Sequence, residues 1–184
     1  MSQYNPLDKN FTERRRNKYA VVLYLPQSVE NIILPIRERY DPLNSMVSAH
    51  ITLVFPFETN QSMDDISHII KKETDLQSPL AIELDSIGDF YPSSPVIYWN
   101  VKRNNELNEL YYRLYSGLEV PIPFKNYIPH VAIAREISNH RVILVKEEII
   151  SYLPYEKFHA ASIDLVTPLV NGKWVSVRTF TLSG

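Results

Sequence analysis

Hydrophobic residues follow two patterns along this chain, one typical of buried strands and one typical of amphipathic helices. Runs of consecutive or alternating apolar, β-branched and aromatic residues predict strands over residues 18–25, 50–57, 80–90, 96–101, 130–134, 159–167 and 174–182. Apolar residues that recur every three or four positions predict four helices. The first helix follows Ser28 as N-cap, the second follows Ser62 or Asp64 and ends at Lys72, and the others cover residues 106–118 and 139–152.

Prolines set the expected limits of several of these elements. Pro26 and Pro56 should end the first two strands, because proline cannot donate a ladder hydrogen bond. Pro35 lies inside the first helical pattern, where it would bend or end the helix. The pair Asn171-Gly172 predicts a tight hairpin turn between the last two strands.

The chain also repeats a short motif in its two halves. His-Ile-Thr-Leu at 50–53 and His-Val-Ala-Ile at 130–133 lie 80 residues apart, and each opens a strand followed by a helix and a long strand. Half of 184 residues would make a marginal core by itself. We therefore expect two related lobes in a single α+β domain over residues 18–184, preceded by a flexible polar arm over residues 1–17.

The composition excludes several classes of site. The chain has no cysteine, so disulfides, thiolate nucleophiles and cysteine-bound zinc are excluded. Its four glycines lie too far apart for a glycine-rich phosphate loop, which needs at least two within a few residues. A formal charge of −2 argues against a strongly basic nucleic-acid coat protein. No two histidines have zinc-binding spacing, and we expect neither a metal nor a cofactor.

The hydropathy of the chain also bears on its location. The first ten residues are polar and contain no apolar segment like that of a secretory signal. The longest apolar stretch, residues 19–25, is far shorter than the ~20 residues that span a bilayer. We expect a cytoplasmic, monomeric protein with no membrane partner.

The repeated motif is the best candidate for chemistry. Because residues i and i+2 of a strand face the same side, His50 and Thr52 should project together, with Ile51 and Leu53 in the core. His130 should project in the same way from the second strand. Two opposed imidazoles are suited to general acid–base catalysis near neutral pH, one accepting a proton while the other donates one. A hydroxyl at position 52 would bond a phosphate oxygen.

These residues resemble the motifs of the 2H phosphoesterase superfamily, in particular its 2′-5′ RNA ligase-like branch. Members carry His-x-Thr/Ser-x once in each lobe, with apolar residues at x. Residues 50–53 match this motif in full, and the Val-Phe-Pro-Phe that follows is also familiar in that branch. Residues 130–135 match the second motif, including the preceding Pro129 and the following Arg135. The resemblance covers roughly residues 18–182.

The resemblance implies a bilobal α+β fold, in which two pseudo-symmetric lobes have antiparallel sheets facing a central cleft and helices outside. It implies a metal-independent phosphodiesterase acting on 2′,3′-cyclic phosphates or on 2′-5′ linked nucleotides or RNA ends. His50 and His130 would be the catalytic pair, with His50 assigned as acid and His130 as base, although the reverse order stays open. Thr52 and Arg135 would bind the phosphate.

Ala132 departs from the family pattern, which has Thr or Ser at this position. By analogy with the loss of one oxyanion donor, the departure would cost on the order of 10²–10³ in rate unless another group substitutes. Lys125, Tyr127 and Arg135 are candidates. Arg135 has the opposite strand parity to His130, so it reaches the cleft only if the strand twists or ends there.

Aromatic residues flank the predicted cleft strands, and among them Phe57 and Tyr127 are candidates for stacking on a base. The expected partner is RNA or a small cyclic nucleotide. The main alternative is a non-catalytic RNA- or nucleotide-binding protein derived from such an enzyme, in which Ala132 has ended turnover. A protein whose strand histidines are only structural is a third interpretation.

Overall fold

An antiparallel sheet with helices packed on one face forms the structure, and the α+β prediction is confirmed. The computed structural model describes residues 17–124 and 126–184. In these ranges the strands are β1 (Asn17–Tyr24), β2 (His50–Thr59), β3 (Leu80–Asp89), β4 (Ile97–Val101), β5 (His130–Ala134), β6 (Glu156–Ala160), β7 (Ser162–Pro168) and β8 (Trp174–Thr181). The helices are α1 (Gln27–Tyr40), α2 (Met63–Thr74), α3 (Asn105–Leu118) and α4 (Val142–Ile150), the last preceded by a 3-10 turn at Asn139–Arg141.

The strand order shows the expected pseudo-symmetry. The order is β6-β3-β4-β5-β2-β1-β7-β8, with every neighbouring pair antiparallel. Reading outward from the centre, β5 matches β2, β4 matches β1, β3 matches β7 and β6 matches β8. The two predicted lobes are therefore present, and their four-stranded halves join into one sheet where Ile51 pairs with Val131.

The helices pack across the join between the halves. Helix α1 lies between β1 and β2 in the chain but packs against β5, while α3 lies between β4 and β5 but packs against β2. The core residues beneath them are the alternate residues of the repeated motif. Ile51, Leu53, Val131 and Ile133 are all fully buried. Both predicted alternations are confirmed, so the other face of the central strands carries the histidines.

Two of the prolines do not end their elements. Strand β2 continues through Pro56 to Thr59, because the pairing with β1 is irregular here, where Val21 pairs with Val54 and Tyr19 with Phe57. Such an irregularity removes the need for a ladder N–H at the proline. Helix α1 continues through Pro35 to Tyr40.

The first helix starts earlier than predicted, whereas the second starts at one of its two predicted caps. The predicted N-cap Ser28 lies inside α1, because the helix begins at Gln27 with Pro26 as N-cap. Pro26 provides the carbonyl that accepts from both Val29 N–H and Glu30 N–H. Of the two predicted caps, Ser62 is the N-cap of helix α2, in a reciprocal capping box with Asp65, and Asp64 lies inside the helix.

The single strand predicted over residues 159–167 is wrong, because the chain forms two strands there. Strand β6 pairs with β3 in one half of the sheet, and β7 pairs with β1 in the other. The exposed Ala161 between them is where the chain crosses between the halves. Residues 1–16 of the predicted arm lie outside the described residues, and Asn17 already belongs to β1.

A buried ion network holds the segment that leads into β2. Arg37, on α1, is only 1% exposed. Its Nε donates to Asp41 Oδ2 at 3.1 Å, and its Nη2 donates to the carbonyl oxygen of Val47 at 2.8 Å. Asp41 is buried as well, and its Oδ1 accepts from Leu43 N–H at 3.0 Å. The guanidinium thus ties both ends of residues 41–47 to the helix.

Glu30 extends this network to the first residue of the site. Its Oε1 lies 3.8 Å from Arg37 Nη1 and accepts from Ala49 N–H at 2.9 Å. Ala49 directly precedes His50, so the ion network fixes the backbone from which the first histidine projects.

Replacing Arg37 by methionine should destabilise the protein strongly. The change leaves the Asp41 carboxylate buried without its main partner, which typically costs about 3–5 kcal/mol in free energy of unfolding. Urea unfolding of the wild type and Arg37→Met measures the difference. The matched control is Arg39→Met on the same helix. The exposed Arg39–Glu148 pair should contribute no more than about 1 kcal/mol. Equal losses in both variants would contradict a dominant role for the buried pair.

Candidate functional site

The two motif histidines lie on the central strands of the sheet. His50 begins β2 and His130 begins β5, and these strands run antiparallel with Ile51 opposite Val131. This register places His50 across from Ala132 and Thr52 across from His130. The residue two positions after each histidine, Thr52 in one lobe and Ala132 in the other, therefore lies beside the histidine of the opposite lobe.

Both imidazoles are held by the same hydrogen bond. His50 Nδ1 donates to the carbonyl oxygen of Ser48 at 2.7 Å, and His130 Nδ1 donates to the carbonyl oxygen of Ile128 at 2.7 Å. A carbonyl oxygen only accepts, so Nδ1 carries the proton in each neutral ring and Nε2 is the acceptor. The local backbone thus fixes one tautomer at both positions, two residues after the accepting carbonyl.

Aromatic rings pack beside each histidine. Phe90 and Tyr98 lie 4.9 and 5.0 Å from the His130 ring, measured between ring centroids. Tyr98 lies over Gly88, where a Cβ atom would be 2.4 Å from the tyrosine Cζ, so only glycine allows this position of the ring. On the other side, Tyr24 packs edge-on to His50 at 6.3 Å. The rings restrict the imidazoles while leaving them partly exposed.

The environment favours the neutral form of both histidines. Burial lowers the pKa of His50 to about 4, opposed by its hydrogen bond to Ser48 and reinforced by the positive charges of Arg135 and Arg37. Burial also lowers the pKa of His130, again opposed by a backbone hydrogen bond and reinforced by Arg135. At pH 7 both Nε2 atoms are therefore available as proton acceptors before substrate binds.

Arg135 reaches the cleft because its strand ends just before it, which is one of the two conditions stated from the sequence. Strand β5 ends at Ala134, and Arg135 turns out of the strand, with its N–H donating to the carbonyl oxygen of Tyr40 at 2.9 Å. Its Nε lies 4.0 Å from Asp41 Oδ1, at the edge of the buried ion network. Arg135 lines a cavity of about 290 Å³ together with His50 and Thr52. The structure thus places a cation in the same cavity as His50 and Thr52.

The two predicted base-stacking rings lie elsewhere. Phe57 is 8% exposed and belongs to the main core, where it packs near Tyr19. Tyr127 stacks on Tyr111 with ring centroids 3.8 Å apart, and its hydroxyl donates to the carbonyl oxygen of Thr52 at 2.8 Å. These positions give the stacking role no support. Tyr127 instead holds the backbone of β2, and Lys125 lies outside the described residues.

Sequence reasoning missed several residues that shape the site. Phe90 gave no signal, because it lies at the end of a predicted strand among turn residues. The Arg37–Asp41 pair was visible as an i,i+4 pair of opposite charges on a predicted helix. Spacing alone does not distinguish a buried pair from an exposed one, and most such pairs are exposed.

The family comparison identifies one model that matches most of the chain. Residues 25–171 match the model described as the 2′-5′ RNA ligase superfamily. A Geobacillus thermodenitrificans protein named "Putative phosphoesterase" is 31% identical over 176 residues, covering 91% of this chain and 97% of its own. A Bacillus licheniformis protein of the same description is 30% identical over 178 residues, covering 90% and 98%.

Solved structures match the fold over a similar length. TT0787 of Thermus thermophilus has a TM-score of 0.68 at 17% identity, covering 91% of this chain and 98% of its own. E. coli LigT complexed with 3′-AMP has a TM-score of 0.65 at 15% identity, covering 92% and 99%. In the described part of the chain, no helix has the length and apolar character needed to cross a membrane.

His50 should make folding stability depend on pH below neutrality. Its pKa is about 4 in the folded protein and ~6.5 when unfolded, so the unfolded chain binds the proton first as pH falls. The contribution of His50 is therefore fully present above about pH 6.5 and is lost progressively toward pH 4. At pH 4 we expect the loss to be on the order of 2–3 kcal/mol.

Urea unfolding at several pH values measures this effect in the wild type and in His50→Gln. The variant should lose less stability than the wild type between pH 6.5 and pH 4. His68→Gln is the matched control, since His68 is exposed on α2, and it should follow the wild-type profile. Parallel profiles for all three proteins would contradict the burial of a neutral His50.

Proposed function

This chain belongs to the 2′-5′ RNA ligase superfamily, and from that premise we propose that it is a metal-independent phosphodiesterase. Its substrates would be 2′,3′-cyclic phosphates or 2′-5′ linked nucleotides or RNA ends. One observation carries the proposal: two histidines on adjacent central strands share the same Nδ1–carbonyl hydrogen bond, which leaves both Nε2 atoms for chemistry.

The proposed reaction opens the cyclic phosphate with water. One neutral imidazole takes a proton from water at Nε2 while the water oxygen bonds to phosphorus. The bond from phosphorus to the 2′- or 3′-oxygen breaks, and the second imidazole gives a proton to that oxygen. This imidazole takes up the proton from solvent when the phosphate anion binds beside it, because a nearby negative charge favours the charged ring. The product is a phosphomonoester beside a free hydroxyl. The LigT complex with 3′-AMP supports nucleotide recognition, because 3′-AMP has the form of such a product.

Charge on the phosphate would be stabilised from two directions. The Thr52 hydroxyl lies across from His130 and can donate to one non-bridging oxygen. On the His50 side the register places the Ala132 methyl group, which has nothing to donate. Arg135 lines the same cavity as His50 and Thr52, so its guanidinium is the group best placed to supply the missing contact.

The electrostatics favour one assignment of the two proton-transfer roles. His50 experiences the positive charges of both Arg135 and Arg37, whereas His130 experiences that of Arg135. Burial is the main reason that both rings resist protonation, and together with the extra cation it makes His50 the harder of the two to protonate. We therefore propose His50 as general base and His130 as general acid, the reverse of the order assigned from the sequence.

Removing either imidazole should abolish most of the turnover. We expect His50→Ala and His130→Ala each to lower kcat by at least about 10²-fold, the usual contribution of one acid–base group. The assay follows opening of a 2′,3′-cyclic mononucleotide in the presence of EDTA. His68→Ala controls for loss of an exposed histidine. A variant lacking both imidazoles that kept wild-type turnover would overturn the two-histidine mechanism.

Restoring the family hydroxyl should raise activity. Ala132→Thr places a donor opposite His50, and we expect kcat to rise, by up to about 10²-fold if Arg135 supplies little of the stabilisation. Ala132→Val has a similar shape without the hydroxyl and is the matched control. Equal rates for the threonine and valine variants would show that the hydroxyl is not what the site lacks.

The second candidate function is nucleotide or RNA binding without turnover, and Ala132 is the observation that favours it. This alternative predicts saturable binding of nucleoside 3′-monophosphates to the wild type, no product from cyclic nucleotides, and product from Ala132→Thr. Product formation by the wild type, lost in both histidine variants, would exclude it.

A further inference from the structure

The two sides of the cleft differ although the backbone is pseudo-symmetric. Val22 lies opposite Thr52 on β1, and Tyr98 lies opposite Ala132 at the matching place on β4. Ala20 and Val96 lie two residues before Val22 and Tyr98 and so hold matching positions in the two halves. Ala20 pairs with Val166 of β7, whereas Val96 accepts a hydrogen bond at its carbonyl oxygen from the N–H of Phe90, which follows β3. Two valines therefore stand where the other half has a tyrosine and a phenylalanine.

This difference leaves a cavity on the His50 side. On the His130 side, the Phe90 and Tyr98 rings pack against each other with centroids 4.4 Å apart and cover the sheet. On the His50 side, the cavity of about 290 Å³ extends from the histidine over β1 and β7 toward the β7–β8 turn. Beyond His50, Thr52 and Arg135, its wall is mainly apolar and includes Ala20, Val22, Leu43, Met46, Val166 and Trp174.

Trp174 is positioned as a fixed wall of this cavity. Its side chain is partly buried and packs against the cluster of Ala20, Val22 and Val166. Its backbone N–H donates to the carbonyl oxygen of Met46 at 2.8 Å, so the first residue of β8 is tied to the segment that the Arg37 network holds. The indole therefore lies at the far end of a pocket whose polar groups are confined to the phosphate end.

We propose that this apolar cavity binds the nucleobase of the nucleotide whose phosphate lies between His50 and His130, with Trp174 as the specificity-determining residue. The inference rests on the proposed function. A pocket with polar groups at one end and apolar walls at the other is suited to a ligand that is charged at one end and apolar at the other. A nucleotide is such a ligand, because its phosphate is charged and its base has an apolar face that can pack on an indole. Since the opposite side is filled by Phe90 and Tyr98, the nucleotide binds in one orientation.

The test compares two substrates that share the same reacting group. A 2′,3′-cyclic mononucleotide carries a base, whereas glycerol 1,2-cyclic phosphate has the same five-membered cyclic phosphodiester without one. Trp174→Ala should lower kcat/KM for the nucleotide about tenfold, mainly through KM, because a base–aromatic contact is lost. The value for the glycerol compound should stay unchanged. Trp174→Phe, which keeps a ring, should recover most of the loss.

A binding measurement makes the test independent of turnover. Titration calorimetry gives the Kd of a nucleoside 3′-monophosphate and of glycerol 2-phosphate for the wild type, Trp174→Ala and the control Val177→Ala. Val177 is exposed on the same strand and does not line the cavity. Trp174→Ala should weaken nucleotide binding about tenfold. It should leave glycerol 2-phosphate binding unchanged, and Val177→Ala should match the wild type for both.

The outcomes separate this inference from the proposed function. Equal losses for both ligands in Trp174→Ala, or no loss for either, would overturn the base-binding role even if the wild type is an active enzyme. Selective loss of nucleotide binding together with absence of turnover would support the pocket and contradict the phosphodiesterase activity. A wild type that binds glycerol 2-phosphate as tightly as the nucleotide would also overturn the inference.

Discussion

The buried pair of Arg37 and Asp41 is the interaction on which the site depends. A guanidinium and a carboxylate without access to water persist only when each has several partners. Besides Asp41, Arg37 contacts the carbonyl oxygen of Val47 and the carboxylate of Glu30. Asp41 also accepts from the N–H of Leu43 and lies near Arg135. The segment before β2 is thereby fixed without a helix or strand of its own. The first histidine, the cation beside it and the part of the cavity wall formed by residues 43–47 all take their positions from this one cluster.

A symmetric backbone carries an asymmetric site in this protein. The central strands present two histidines in the same way, each held by the carbonyl two residues before it. Around them the side chains differ, with Thr52 in one lobe and Ala132 in the other, and valines in one lobe where the other has aromatic rings. The hydrolysis proposed above needs different roles from the two sides of phosphorus. The different surroundings of the two histidines suit this division, whereas Ala132 removes a hydroxyl donor from one side.

The sequence patterns predicted those parts of the fold that depend only on residues close together in the chain. The alternation at residues 50–53 and 130–133 located both the core and the cleft face, and Ser62, one of the two predicted caps, begins α2. Pairing partners are not encoded locally, so residues 159–167 looked like one strand although their ends join different halves of the sheet. The cavity could not be predicted either, because its wall combines residues from β1, β7, β8 and the segment before β2.

The crossing of the chain at Ala161 also bears on how the protein is made. The half of the sheet that holds β1 and β2 takes its two outer strands from residues 162–181, which leave the ribosome after the other six strands of the described residues. The other half has all four of its strands by residue 160. The lobe with His130 is thus complete while the lobe with His50 still has an open edge along β1. A chain truncated before residue 162 would therefore have one complete half of the sheet and would lack the wall that Val166 and Trp174 give to the cavity beside His50.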